Sequence, residues 1–227
     1  LCMALLRIDM KNSEKATPLN TFYDIWMIGM SEHPVSVMYM RSVLPSWKDY
    51  EVKTFEAITP KDLPVKNKID WGKRKRPLTA TEKAVWYSHF ELWCKCVNTN
   101  KPIVVIEHDS KLVKPLPDLS KEGHKFLSFI NRDYGKKGVW CAPGSGYFIT
   151  PLAAQRLVST AVSKPQVINS DGHLGWKLNV LKQEEIGDYK YIEQINFDGY
   201  NTIDHKNVNR KFVGPDYENF DLSGIHG

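Results

Sequence analysis

No stretch of the chain approaches the roughly 18 uninterrupted apolar residues that a membrane-spanning helix requires. The best runs, Ile25–Met30 and Ile103–Ile106, are far shorter, so a soluble protein without a membrane span is expected. Cysteine is scarce: Cys2, Cys94, Cys96 and Cys141 are too few and too irregularly spaced for a disulfide framework in 227 residues. No secretory signal pattern precedes them, so reduced thiols in a cytoplasmic protein are expected. Cys94-x-Cys96 follows His89 but lacks zinc-finger spacing and falls in a helical pattern, which favours small buried apolar residues over metal ligands. Charge of one sign is in only modest excess, +5 with a pI near 8.9, a slight preference for polyanionic partners. Repeats and low-complexity tracts are missing. With 42% hydrophobic and 25% charged residues, the chain is neither disordered nor fibrous.

What is there is an alternation of apolar strands and amphipathic helices. Tyr23–Met30 is a short apolar run closed by Ser-Glu-His-Pro, as a buried strand would be. Val35, Met38, Tyr39 and Val43 recur at helical spacing before Pro45, and Glu51–Ile58 alternates like a second strand. Residues 60–77 hold three prolines and the basic cluster Lys66, Lys68, Lys73, Arg74, Lys75 and Arg76, which reads as a loop. A long helix over about 79–97, the strand Ile103–Ile106, a helix over about 121–131, strands near 139–142 and 146–150, and a helix over 152–162 follow. Thr150 and Pro151 suit the N-cap and first position of that last helix. Beyond Lys164 only Tyr189–Ile195 resembles a strand. The expectation is an α/β fold with a mainly parallel mixed sheet flanked by helices, in a single domain over 1–227. Residues 22–163 would form its core and 164–227 its poorly patterned remainder.

The chemistry concentrates where Ile103-Val104-Val105-Ile106 runs into Glu107-His108-Asp109. Ligands of open α/β sheets bind beyond the carboxyl ends of strands. Alternation along a strand lets Glu107 and Asp109 face one way and His108 another. Two such carboxylates could hold Mn²⁺ or Mg²⁺ against a diphosphate, or could simply solvate the strand's end. On the preceding helix, Glu82, Trp86, His89 and Trp93 share one face. Thr79-x-x-Glu82 also fits a capping box, and His89 could be a hydrogen-bonded core histidine. Gly144-Ser145-Gly146 permits close backbone approach to a ligand, and Asn169-Ser170-Asp171-Gly172-His173 sets a carboxylate beside an imidazole in a turn-prone stretch.

In order, Leu78-Thr79-x-x-Glu82, Ser88-His89, Trp93, Ile106-Glu107-His108-Asp109 and Gly144-Ser145-Gly146-Tyr147-Phe148-Ile149-Thr150 resemble glycosyltransferase family 25. The family includes lipooligosaccharide-type sugar transferases and procollagen galactosyltransferase domains. The resemblance spans about 23–205, including Gln194 and Thr202-Ile203. Two departures are plain: His108 stands where the family has an acid, and Met27-Ile28-Gly29-Met30 replaces its Asn-Leu-Asp-Arg run.

The resemblance implies a GT-A-type, Rossmann-like fold, a nucleotide-diphosphate sugar donor such as a UDP-sugar, a divalent metal and transfer with inversion. It implies Glu107 and Asp109 as metal ligands, Asp171 as general base, and Glu82, Ser88, His89, Ser145, Gly146 and Tyr147 around the donor. Basic residues at 66–76 and 205–211, among them Lys73, Arg74, Lys75, Arg76, Arg210 and Lys211, could follow a phosphate backbone. The expected acceptor is therefore a hydroxymethylated pyrimidine in DNA, as modified by some phages, with base flipping to expose it. A lipooligosaccharide or other saccharide is the alternative acceptor. A non-catalytic sugar- or nucleic-acid-binding module is the reading from another class.

Overall fold

The computed structural model describes residues 22–63, 69–71, 78–120, 126–129, 144–163, 170–178 and 191–195. Strand β1 (Asp24–Gly29) leads into helix α1 (Pro34–Val43), a 3₁₀ turn (Leu44–Trp47) and strand β2 (Val52–Glu56). The long helix α2 (Ala80–Thr99) precedes β3 (Ile103–Glu107) and β4 (Ser110–Leu112). Then come β5 (Phe126–Ser128), β6 (Gly146–Ile149), α3 (Pro151–Ser163), α4 (Ser170–Leu178) and β7 (Ile192–Gln194). No helix among the described residues is long and apolar enough to cross a membrane.

The main sheet has the order β2-β1-β3-β6-β5, and β4 pairs with β7 in a separate two-stranded sheet. β1 runs parallel to both β2 and β3, whereas β6 runs antiparallel to β3 and to β5. Four of the five strands therefore share a direction and β6 opposes them, the mixed, mainly parallel arrangement expected from the alternating pattern. A strand covered on both faces can be apolar at every position. β3 obeys this rule: Ile103 and Val105 enter one core cluster with Trp86, Leu92, Trp93 and Leu157. Val104 and Ile106 enter the other, with Met27, Met40, Trp47 and Phe148. Helices α2, α3 and α4 pack together on the first side. The segment from α1 through the 3₁₀ turn, with β4 and β7, closes the second.

Local signals explain where α2 starts. Thr79 Oγ1 accepts from Glu82 N at 3.1 Å, and a Glu82 carboxylate oxygen accepts from Thr79 N at 2.9 Å, a complete capping box. Asn100, at φ 49°, closes the helix in the left-handed region that asparagine tolerates. Cys96 is wholly buried, its Sγ donating to Lys101 O at 3.2 Å, and burial pushes its pKa to about 12. The Cys94-x-Cys96 pair is thus helical packing, as its spacing suggested.

Two expected elements differ. Within the stretch read as a helix over 121–131, residues 126–128 form an edge strand instead. Its pairing with β6 buries Leu127, and Phe129 follows into the same core. Periodicity over so short a window cannot reveal a partner strand supplied from elsewhere. The turn-prone stretch 170–173 opens helix α4, because packing against α2 and α3 buries His173 and Leu174 and overrides the local preference of Asp and Gly for turns. The strand read near 139–142 lies outside the described residues.

At the amino end of β1, Asp24 Oδ1 accepts from Lys101 Nζ at 2.7 Å and Lys53 Nζ at 3.1 Å. Burial alone would raise its pKa, but the two ammonium groups outweigh burial and hold the carboxyl below the usual range. A depressed folded-state pKa contributes stability that is present above the unfolded-state value and is lost as pH falls through the folded-state value. Asp24→Asn should lower urea stability at neutral pH, and the difference from the parent chain should disappear in acid. Equal stability of the two chains at pH 7 would show that this cluster contributes nothing.

Candidate active site

Three parallel strands end side by side, and a solvent-open cleft lies beyond their carboxyl ends. Ile28 and Met30 line it at the end of β1, residues 57–60 after β2, and Glu107, His108 and Asp109 at the end of β3. Thr81, Ala84, Val85 and Ser88 of α2 form its remaining wall. This is the position that the strand rule assigns to a ligand. Most of the wall is aliphatic, and the acidic end of β3 supplies its charged border.

The three consecutive residues at that border are held by three different elements. Glu107 continues the Ile103–Val105 side of β3, and its Oε1 lies 3.4 Å from His89 Nε2 of α2. His108 turns the other way, its ring 5.3 Å from that of Tyr39 in α1. Burial lowers the His108 pKa, the charge of Glu107 opposes that shift, and His33 adds to it. Asp109 sits in the turn between β3 and β4, where Gln194 Nε2 of β7 donates to Oδ2 at 3.4 Å and Ile195 N donates to its carbonyl at 2.9 Å. Strict alternation stops at Glu107 because residues 108–109 are a turn. Both carboxylates nevertheless border the same cleft. Gln194, noted in the sequence only through the resemblance, is one of the groups that contact Asp109.

Behind Glu107 lies a buried polar cluster. His89 Nδ1 is 3.0 Å from the Tyr147 hydroxyl, and Trp93 Nε1 donates to that hydroxyl at 2.8 Å. Trp93 also stacks on His173 at 5.2 Å. Burial, partly opposed by the Trp93 hydrogen bond, raises the Tyr147 pKa well above the usual phenol range. Asp171, in the first turn of α4, accepts from Gly144 N through Oδ1 at 2.9 Å. A Cβ at Gly144 would lie 3.0 Å from Asp171 Oδ1 and 3.2 Å from His89 Nε2, so a side chain there would press on both groups.

Several donor-side expectations are relocated by these contacts. Glu82 does not line the cleft; its carboxylate closes the capping box with Thr79. His89 is wholly buried one layer behind Glu107. Ser145, Gly146 and Tyr147 are buried beneath the acidic turn because β6 is an interior strand. Ser145 O accepts from Glu107 N at 3.1 Å, and a Cβ at Gly146 would meet Ile192 Cδ1 of β7 at 2.5 Å. The basic residues Lys73, Arg74, Lys75, Arg76, Arg210 and Lys211 lie outside the described residues.

Ser88 alone of the expected donor group lines the cleft, and it is also structural. Its Oγ accepts from Ile58 N at 2.9 Å and donates to Ala84 O at 3.0 Å, fastening the end of β2 to α2. Ser88→Ala leaves a buried amide without this acceptor, which costs about 1–3 kcal/mol. Denaturant unfolding should show that loss; a change under about 0.5 kcal/mol would mean that another group takes the amide.

Residues 39–140 match the model of glycosyltransferase family 25 (LPS biosynthesis protein). Among solved structures, the chain is similar to a glycosyltransferase involved in the glycosylation of the major capsid of PBCV-1. That similarity has 12% identity and a TM-score of 0.38, over 63% of this chain and 69% of that one. It is also similar to mouse xyloside xylosyltransferase 1 in its apo form, at 10% identity and a TM-score of 0.39, over 70% of this chain and 82% of that one. No curated protein matches the chain. The matched segment carries α2, the acidic end of β3 and most of the cleft wall, and the mixed, mainly parallel sheet flanked by helices is the α/β architecture expected from the sequence. Through this segment the chain is similar to glycosyltransferase family 25.

Proposed function

We propose that the chain transfers a sugar, with inversion, from a nucleotide-diphosphate sugar of the UDP type to a hydroxyl acceptor, with Mn²⁺ or Mg²⁺ at the donor diphosphate. The observation that carries this reading is the cleft at the carboxyl ends of three parallel strands, aliphatic on most of its wall and bordered by Glu107 and Asp109. A flat base suits the aliphatic wall formed by Ile28, Ala57, Ile58, Ala84 and Val85.

The donor set fits such an ion. Among the described residues no group of three or more His, Cys, Asp or Glu side chains gathers as a self-sufficient metal cage. Mg²⁺-type ions commonly use one or two carboxylates and complete their shell with substrate phosphates and water. Glu107 and Asp109 would hold the ion, which when bound offsets negative charge developing on the leaving diphosphate. His89 and Gln194 keep those two carboxylates oriented. Asp171 is assigned as general base: its carboxylate, steadied through Oδ1 by Gly144 N–H, would take the proton from the acceptor hydroxyl as that oxygen attacks the anomeric carbon. Asp109→Asn should cut metal-dependent hydrolysis and transfer by about a hundredfold or more while the far-ultraviolet circular dichroism stays unchanged. Undiminished turnover would remove the assignment.

As acceptor we propose a hydroxymethylated pyrimidine in duplex DNA, on the strength of the two basic segments 66–76 and 205–211. Only residues 69–71 of these fall within the described structure. Binding to duplex DNA should be measurable at low ionic strength and weaken steeply with salt. Absence of binding at low salt would overturn the DNA reading in favour of a saccharide acceptor.

A further inference from the structure

We propose that Tyr147 and Trp93 are positioning residues that hold His89 as its Nε2–H tautomer and so aim the Glu107 carboxylate at the cleft; the aiming part rests on the donor-side role given to Glu107 above. The two ends of this chain of contacts have fixed polarity. An indole N–H can only donate, and Trp93 Nε1 donates to the Tyr147 hydroxyl at 2.8 Å. An ionised carboxylate can only accept, and Glu107 Oε1 lies 3.4 Å from His89 Nε2. Nε2 must therefore present its hydrogen to Glu107. A neutral imidazole then carries its lone pair on Nδ1, where the Tyr147 hydroxyl, 3.0 Å away, donates. The hydrogens run in one direction, from indole to phenol to imidazole to carboxylate.

Burial protects this arrangement from exchange with water. Trp93, Tyr147 and His89 are all wholly buried, whereas the Glu107 side chain is 24% exposed and reaches the cleft. Low local polarity strengthens such a chain and penalises any unpaired member. The imidazole is also confined sterically, with the Tyr147 ring 5.8 Å away at 33° and the Trp93 ring 6.4 Å away at 31°. The high pKa imposed on Tyr147 by burial keeps the phenol hydrogen in place.

The test is ¹⁵N spectroscopy of His89 at a pH where the ring is neutral, in the full chain and in Tyr147→Phe. In the parent chain Nε2 should be protonated and Nδ1 should show the signature of a hydrogen-bonded lone pair. In Tyr147→Phe the Nδ1 resonance should move to that of an unbonded lone pair. The metal concentration for half-maximal donor hydrolysis should rise about tenfold, as for other groups that orient a ligand through hydrogen bonds. A protonated Nδ1 in the parent chain, or an Nδ1 resonance unmoved by Tyr147→Phe, overturns the relay; an unmoved metal requirement overturns its action on Glu107. If Tyr147→Phe does not fold, the parent spectrum alone decides. If Asp109→Asn is inactive but the nitrogen signature is missing, the relay alone is rejected. If the signature is present and Asp109→Asn is fully active, the relay stands and the donor reading falls.

Discussion

Burial of strand β3 on both faces is the constraint from which the rest of the molecule follows. Four consecutive apolar residues, Ile103–Ile106, have no exposed side, so one layer must cover Ile103 and Val105 and another must cover Val104 and Ile106. Helices α2, α3 and α4 supply the first layer, and the α1 segment with the small β4–β7 sheet supplies the second. The abrupt change to Glu107-His108-Asp109 marks where those layers part and solvent enters. A carboxylate one residue earlier would lie in the apolar cluster that buries Ile106, at a large desolvation cost. The cleft is thus the open end of the sandwich rather than a feature added to it.

The layers that bury β3 also orient its polar end. Glu107 lies beside His89 on the three-helix side, His108 beside Tyr39 on the α1 side, and Asp109 beside Gln194 of the small sheet. Each neighbouring residue is assigned to a different supporting element, so both layers bear on the geometry of a three-residue border. His89 is itself held from behind by a fully buried phenol and indole. An apolar core with one polar thread leading to a carboxylate is a rigid support, because every atom of the thread loses a hydrogen bond if it moves. Such rigidity is what a site working by preorganised charge requires.

Much of this was legible in the chain. The parallel core, the long helix with its capping box and the acidic strand end follow from periodicity and residue chemistry acting over a few positions. The edge strand at 126–128 and the helix at 170–178 were not, because each is stabilised by distant partners, β6 in one case and α2 with α3 in the other. The surroundings of the cleft were only partly legible for the same reason. Ser88 reaches the cleft, whereas His89 and Tyr147 share no sequence neighbourhood and meet only through the packing of α2 on β6.

By itself, then, the sequence determined the chemistry on offer: two acids at the end of a buried strand, an imidazole and indoles on one helix face, and glycines before a strand. Tertiary structure decided which of these face a ligand and which face one another. It buried Ser145, Gly146 and Tyr147, and enlisted Gln194 from the far end of the described chain. The physical reason is one of range. Helix period, strand alternation and capping act between residues a few positions apart, whereas the partner of a buried polar group is chosen by whichever elements the core brings against it.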